Sequence, residues 1–412
     1  MKKVLKNTRR IAASSGPKVL TVASKGGKKA PKPARVDYAK LSLALHKKLG
    51  GKIALLPKAH LRNRTDWSTF YTPGVAAVSS HLAKHPKDVR TYTLKKNTVA
   101  VISDGSAVLG LGNIGPMGAI PVMEGKCVIF KEMAGVDAFP IVLDTQDPEE
   151  IIRTIKAIAP VFGGINLEDF AAPNCFMIEE RLKKELSIPV MHDDQHGTAI
   201  VALAGLINAS KVVGKKMQDL KVVIVGAGAA GRAIALLMLQ AGIKDITLVD
   251  RSGVIELERK GLSGYKKELA RVTNPRRITG DIENALKGAD VVVGVSGPGK
   301  IARAHVEMMA ENPIVFALAN PIPEIMPDDA LRAGAAVVAT GRSDYPNQIN
   351  NALVFPGIFR GALDRNVGAI TDAMKLAAAK KLASLVKKPS KTAIVPSVEM
   401  PGLAKAIASV IR

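Results

Sequence analysis

Val222-Val-Ile-Val-Gly-Ala-Gly-Ala-Ala-Gly231 is a short β-branched run that breaks into a Gly-x-Gly-x-x-Gly turn. A second apolar run, Ala229–Gln240, follows at helical spacing, and residues 246–249 form a further strand. Such a turn between strand and helix suits a dinucleotide pyrophosphate. The first glycine permits the tight turn, the second lets phosphate approach the backbone, and the third allows close helix–strand contact. Asp250 ends the next strand, 24 residues after Gly226, where an acid would bind the adenine-ribose hydroxyls. A carboxylate there repels a 2′-phosphate and favours NAD over NADP, although Arg251 directly after it argues the other way.

Working outward, strands expected at residues 291–295, 314–317 and 336–339 continue the alternation with helices. Near-continuous apolar strands of this kind belong to a doubly wound parallel sheet, so the fold class is α/β. Upstream, strands are expected at Thr98–Ser103, 139–143 and 188–191. Helices are expected from Tyr38 onward, over 148–159 with Asp147 as cap, and over 198–212. A chain of 412 residues exceeds what one core usually supports. The expected divisions are a basic tail, 1–36; an N-terminal α/β substrate and metal domain, 37–196; a Rossmann-like dinucleotide domain, 197–371; and a C-terminal helical segment, 372–412, packing back on the body.

The net charge of +23 invites a nucleic-acid reading until it is mapped. Residues 1–36 carry 11 Lys/Arg and no acid, and residues 373–412 carry a net +7, which leaves +5 for the body. With aromatics at only 4%, a nucleic-acid-associated protein is disfavoured. The tail reads as a solvated segment able to bind anions nonspecifically, with an organelle presequence as the alternative. Cys127 and Cys175 lack metal-ligand spacing and read as buried thiols of a reducing, cytoplasmic compartment. Residues 222–243 are apolar but contain Arg232 and the glycine turn, which excludes a membrane span.

Ahead of the fingerprint stand Asn166-Leu-Glu-Asp-Phe170 and Met191-His-Asp-Asp-Gln-His-Gly-Thr198. Glu168, Asp169 and Asp194 are the candidate metal ligands. Adjacent Glu168 and Asp169 cannot share a face of a regular helix or strand, so a common metal requires a turn or helix start between them. His192 and His196 leave an imidazole site for zinc open, but the supply of carboxylates favours a hard Mg²⁺ or Mn²⁺. Lys126 sits in an apolar run able to carry it inward, where a lowered pKa would let it act as a base. Tyr71 lies on a turn set by Pro73-Gly74, and Asn320 and Asn351 end strands or start loops on the ligand-binding side of the sheet, or cap helices.

Several ordered segments resemble the malic enzyme family in its short bacterial and archaeal form. They are Phe70-Tyr-Thr-Pro-Gly-Val-Ala76, Ser103-Asp-Gly-Ser-Ala-Val-Leu-Gly-Leu-Gly-Asn-Ile-Gly115, Pro121-Val-Met-Glu-Gly-Lys126, Gly164-Ile-Asn-Leu-Glu-Asp169, His192-Asp-Asp-Gln-His-Gly-Thr198, Ala317-Leu-Ala-Asn-Pro321 and Asn350-Asn-Ala-Leu-Val-Phe-Pro-Gly357. The resemblance covers roughly residues 37–412. It implies Tyr71 as general acid, Lys126 as general base, and Glu168, Asp169 and Asp194 as metal ligands. It further implies Gly226, Gly228, Gly231, Asp250, Thr198 and Asn320 at the cofactor, and Lys126, Asn320 and Asn351 at the substrate. The implied reaction is oxidation and decarboxylation of (S)-malate to pyruvate and CO₂ with NAD(P)⁺, by a homodimer. Larger family members place an arginine for the substrate carboxylate where this chain has Ala107. The competing enzyme readings are an uncoupled hydroxy-acid dehydrogenase or an oxaloacetate decarboxylase.

Overall fold

The computed structural model describes residues 37–262 and 264–412. The basic stretch 1–36, read above as a tail, lies outside the described residues. Two compact units are distinguished, one ending at Gly50 and one running from Gly51 to Arg412. The described part of the first is helix α1, Tyr38–Leu49, opened by the Asp37 side chain on Lys40 N–H and closed by Gly50 at φ 65°. Its Leu41, Leu43, Leu45 and Leu49 are exposed.

The second unit opens with α2 (Arg64–Phe70) and α3 (Val75–Lys84) and then builds two parallel sheets. In the first, β1 (Thr98–Ser103), β2 (Asp137–Val142), β3 (Gly164–Leu167) and β4 (Val190–His192) lie in the order β2-β1-β3-β4. Its helices are α4 (Gly115–Ala134), α5 (Pro148–Ile158) and α6 (Asn174–Glu185). Asp147 caps α5 as expected, and Ile151, Ile152 and Ile155 form its buried face. Expected strand limits shift by one or two residues because the ladder sets them: Thr98 to Ser103 pair in register with Asp137 to Val142.

The second sheet contains β5 (Lys221–Val225), β6 (Asp245–Asp250), β7 (Gly253–Val254), β8 (Val291–Gly294), β9 (Ile314–Ala317) and β10 (Val337–Thr340). Its order is β10-β9-β8-β5-β6-β7, parallel throughout except for the short β7. The order reverses between β5 and β8, and doubly wound sheets bind ligands in the crevice beyond such a point.

Between the sheets in sequence runs α7, Asp193–Val212, which begins five residues before the helix expected over 198–212. Its first turn carries Asp193 and Asp194, acids that the helix dipole favours at that end. It packs against α8 (Ala229–Gln240) and α10 (Asp372–Ser384). One continuous core holds Val99 and Val101 of the first sheet, Ile200 and Leu203 of α7, and Val222 and Ile224 of the second. The expected boundary at 196/197 therefore falls inside a buried helix. The C-terminal helices close over the same core: α10 lies on α7, and α11 (Leu403–Ala408) lies on α9 (Phe355–Arg365) and α4. Among the described residues no helix is long and apolar enough to cross a membrane.

Candidate active site

The carboxylates converge where β3, β4 and the start of α7 meet. Asp169 follows β3 in the left-handed region, at φ 59°, which is the turn that adjacent ligands require. One oxygen from each of Glu168, Asp169 and Asp194 lies within 4.8 Å of the others. Asp194 accepts the Asp169 backbone N–H at 2.7 Å, and Asn166 donates to Glu168 at 2.9 Å. Burial, then repulsion from Asp194, pushes the Asp169 carboxyl up to about 8. Burial likewise drives Glu168 well above its ordinary value.

Buried Oδ2 of Asp169 has no hydrogen-bond partner. Three crowded acids with an orphaned oxygen fit a divalent cation, and the donor set is oxygen alone. His196 turns instead to Glu179 at 2.9 Å, and His192 Nε2 stands 3.6 Å from Asp194. The zinc alternative thus loses its second imidazole. Both ring nitrogens of the fully buried His192 lack partners.

Lys126 projects from the middle of α4 and is buried. Its Nζ lies 2.5 Å from Asp193 Oδ2 and 3.0 Å from Glu168 Oε1, and 4.5 Å from the centre of the Phe355 ring. Burial alone would pull the lysine down, but Asp193, Glu168 and Asp194 together hold it above its ordinary value. The lowered pKa expected from burial is therefore opposed by these three carboxylates, which favour the ammonium form.

Asp193 gains its role only in the fold, because sequence spacing does not show that α4 crosses it. Gly197 explains how close the packing is. A Cβ there would sit 1.9 Å from Asp193 Oδ1 and 3.0 Å from the Asn351 Cβ, so glycine alone lets Asn351 reach the first turn of α7. Thr198 stands one turn beyond Asp194 on the same helix and is half-buried. Glu179 of α6, also unassigned from sequence, fixes this turn: it accepts His192 N–H at 2.9 Å, Gln195 at 3.2 Å and His196.

The loop after β1 covers Asp169. Ala107 N–H donates to the Asp169 carbonyl at 2.9 Å, so the position of the family's arginine does lie beside the cluster. Asn320 follows β9, and its carbonyl would lie 2.0 Å from a Cβ at Gly110 of that loop. Tyr71 is different: it is 67% exposed at the end of α2, and its side chain makes no hydrogen bond among the described residues. The structure does not bond it to the carboxylate cluster.

At the fingerprint, Gly226 has φ 118°, and a Cβ there would lie 2.5 Å from the Val295 carbonyl. A Cβ at Gly231 would lie 1.8 Å from the Gly226 carbonyl, whereas Gly228 faces open space. Two glycines thus serve packing, and the third leaves the backbone open to a phosphate. The Asp250 carboxylate is already engaged: Ser252 N–H and Arg259 reach Oδ1 at 2.8 and 2.9 Å, and Arg259 and Lys266 reach Oδ2 at 2.7 and 2.5 Å. Although burial opposes it, these donors pull Asp250 down to about 2. The argument that its charge excludes a 2′-phosphate loses its force, since two cations offset it.

Comparisons with known proteins establish the family. The family described as "Malic enzyme, N-terminal domain" matches residues 50–183, and "Malic enzyme, NAD binding domain" matches residues 195–411. The chain is 57% identical over 352 residues to an NAD-dependent malic enzyme of Geobacillus stearothermophilus, covering 85% of this chain and 73% of that one. It is 45% identical over 356 residues to an NADP-dependent malic enzyme of Halomonas elongata, covering 86% and 83%. The crystal structure of a malic enzyme from Pyrococcus horikoshii superposes with a TM-score of 0.86 at 49% identity, covering 90% and 89% of the two chains. Carboxylates, lysine, fingerprint and overall likeness lead to one conclusion: the chain belongs to the malic enzyme family.

Proposed function

We propose that this enzyme converts (S)-malate and NAD(P)⁺ to pyruvate, CO₂ and NAD(P)H with a divalent cation held by Glu168, Asp169 and Asp194. The observation that carries the reading is the triad of carboxylates within 4.8 Å of one another, Glu168 and Asp169 buried and Asp194 half-buried, one oxygen orphaned, beside a buried lysine. When bound, the Mg²⁺ or Mn²⁺ would supply Lewis acidity for the malate hydroxyl and its neighbouring carboxylate, and its charge would favour the neutral form of Lys126.

Lys126 Nζ takes the proton from the C2 hydroxyl, positioned for it by Asp193 and the Phe355 ring. Tyr71 supplies a proton to C3 after CO₂ has left. Two groups are required because one proton leaves oxygen and another arrives at carbon. Asn351, held against the α7 turn, and Asn320, after β9, orient the substrate and the nicotinamide amide, while Thr198 contributes on the cofactor side. Gly226, Gly228 and Gly231 receive the pyrophosphate.

NAD⁺ is the expected cofactor. NADP⁺ is accepted as well, because Asp250 is offset by Arg259 and Lys266 with Arg251 alongside. The enzyme acts as a homodimer, a reading supported by the exposed Leu55, Leu56, Trp67, Phe70, Leu111 and Met117 of the second unit. It works in the cytoplasm, where the buried Cys127 and Cys175 remain thiols.

The test is steady-state turnover of malate with NAD⁺ and with NADP⁺, in Mn²⁺ and in EDTA, counting CO₂ against reduced cofactor. One CO₂ per NAD(P)H, abolished by EDTA, is expected. Reduced cofactor without CO₂, or full activity in EDTA, overturns the coupled or the metal-dependent part respectively.

A further inference from the structure

The loops after β8 and β9 leave the second sheet beside the point where its strand order reverses, and one side chain ties them together. Glu324 is fully buried. Its Oε1 accepts the Ser296 N–H at 2.7 Å, in the loop after β8, and its Oε2 accepts the Ala319 N–H at 3.1 Å, in the loop after β9. Its backbone carbonyl takes the Ile301 N–H at 3.2 Å, farther along the first loop. A Cβ at Gly294 would stand 2.6 Å from the carboxyl carbon, so the close approach needs glycine at the end of β8. We propose that Glu324 is a positioning residue for the hydride step: by fixing the separation of these loops it sets the Asn320 amide against the nicotinamide. This assignment rests on the role given to Asn320 above.

Satisfying the local backbone does not require an anion there. No lysine or arginine pairs with Glu324 among the described residues, and burial holds its acid above the ordinary value against the pull of the Ser296, Ala319 and Gly297 N–H groups. Burying a carboxylate without a cation is costly. The N–H groups it serves belong to Ser296, which is exposed, and to Gly297 and Ala319, which are half-buried, so water can reach them. What water does not supply is a fixed distance between two loops. A carboxylate does, because both of its oxygens accept and each holds a different loop.

Both loops bear on the cofactor. Val295, next to Ser296, lays its carbonyl on Gly226 of the fingerprint. Asn320, next to Ala319, lays its carbonyl on Gly110 and its side-chain amide on Gly341, where a Cβ would lie 2.5 Å from Nδ2. Asn320 is half-buried, and its amide makes no hydrogen bond among the described residues. Arg342 steadies the same loop from the other side, Nη1 donating to the Pro321 carbonyl at 2.8 Å. The backbone is thus gripped on both sides of Asn320, and the amide is left for a ligand.

The experiment is steady-state oxidation of malate and of 2-deuterated malate by the full-length enzyme with Mn²⁺ and saturating NAD⁺. Glu324→Gln keeps the size of the side chain but turns an NH₂ group toward one of the two N–H donors, which releases one loop. A fall in kcat/KM of roughly 10–100-fold is expected, with a larger deuterium isotope effect, because a displaced nicotinamide slows hydride transfer itself. A variant that only folds less well loses active sites and keeps the wild-type isotope effect; that result overturns the assignment. Should Glu324→Gln not fold, Glu324→Asp, which keeps the charge on a shorter stem, is read in the same way. Asn320→Ala separates this assignment from the role of Asn320. An impaired Asn320→Ala beside a Glu324→Gln of wild-type kinetics overturns the assignment alone. When both are impaired, Glu324→Gln should add little in the Asn320→Ala background, and full additivity overturns action through Asn320. Wild-type kinetics in Asn320→Ala remove Asn320 from the cofactor site, and the assignment falls with it.

Discussion

Asp169→Asn should stabilise the cation-free protein while abolishing its response to metal. The Asp169 carboxyl titrates at about 8 rather than at the ordinary 3.8, first through burial and then through Asp194. A raised acid opposes folding in its charged form. That cost is absent below the unfolded value near 4, grows as pH rises, and is complete above about 8. About four decades of proton affinity correspond to a ceiling of ~6 kcal/mol on the charged form. Glu168 and Asp194 share the same repulsion, so roughly half, ~3 kcal/mol, is assigned to Asp169 alone. With an unfolding entropy of roughly 0.8 kcal/mol/K for a chain of this size, that is a Tm difference of about 4 °C. The assay is thermal unfolding in EDTA between pH 5 and 9. Wild type should lose stability as pH rises through this range, and Asp169→Asn should lose less. Adding Mn²⁺ at about a hundredfold over its Kd should then raise wild type by ~2.7 kcal/mol and the variant hardly at all. Parallel pH curves for the two proteins, or an equal Mn²⁺ response, would refute the electrostatic account of the cluster.

Lys126→Ala should cut turnover by something like 10²–10⁴; unchanged turnover in steady-state assays removes Lys126 from the mechanism. Lys266→Gln should weaken NADP⁺ relative to NAD⁺ by about tenfold, the worth of one partly exposed charge on a phosphate, and an unaltered ratio of kcat/KM values rejects the account of Asp250 given above.

The dinucleotide half was legible because its signals are local. Val222 to Val225, the glycine turn and the helix after it follow one another along the chain, and the ladder places them as read. The carboxylates were legible for the same reason, with Glu168 and Asp169 adjacent and Asp194 only 25 residues on. Long-range partners were not. Asp193 meets Lys126 across 67 residues, and the Asp250 carboxylate is claimed by Arg259 and Lys266 from beyond its own strand. Helix α4 also escaped notice, since Gly118, Pro121 and Gly125 break the propensity pattern that identifies helices and only tertiary burial sustains it. The boundary expected at 196/197 stands where the pattern becomes regular, close to where the two family matches divide the chain, and it falls inside α7.

That continuity bears on how such a chain can be recombined. Here a crossover between residues 196 and 197 would sever α7 after its first turn and strip one shared interior into two halves, each with bare valines and isoleucines facing water. Chimeras of this enzyme need their junctions in the loops flanking that helix, with α7 inherited whole from one parent.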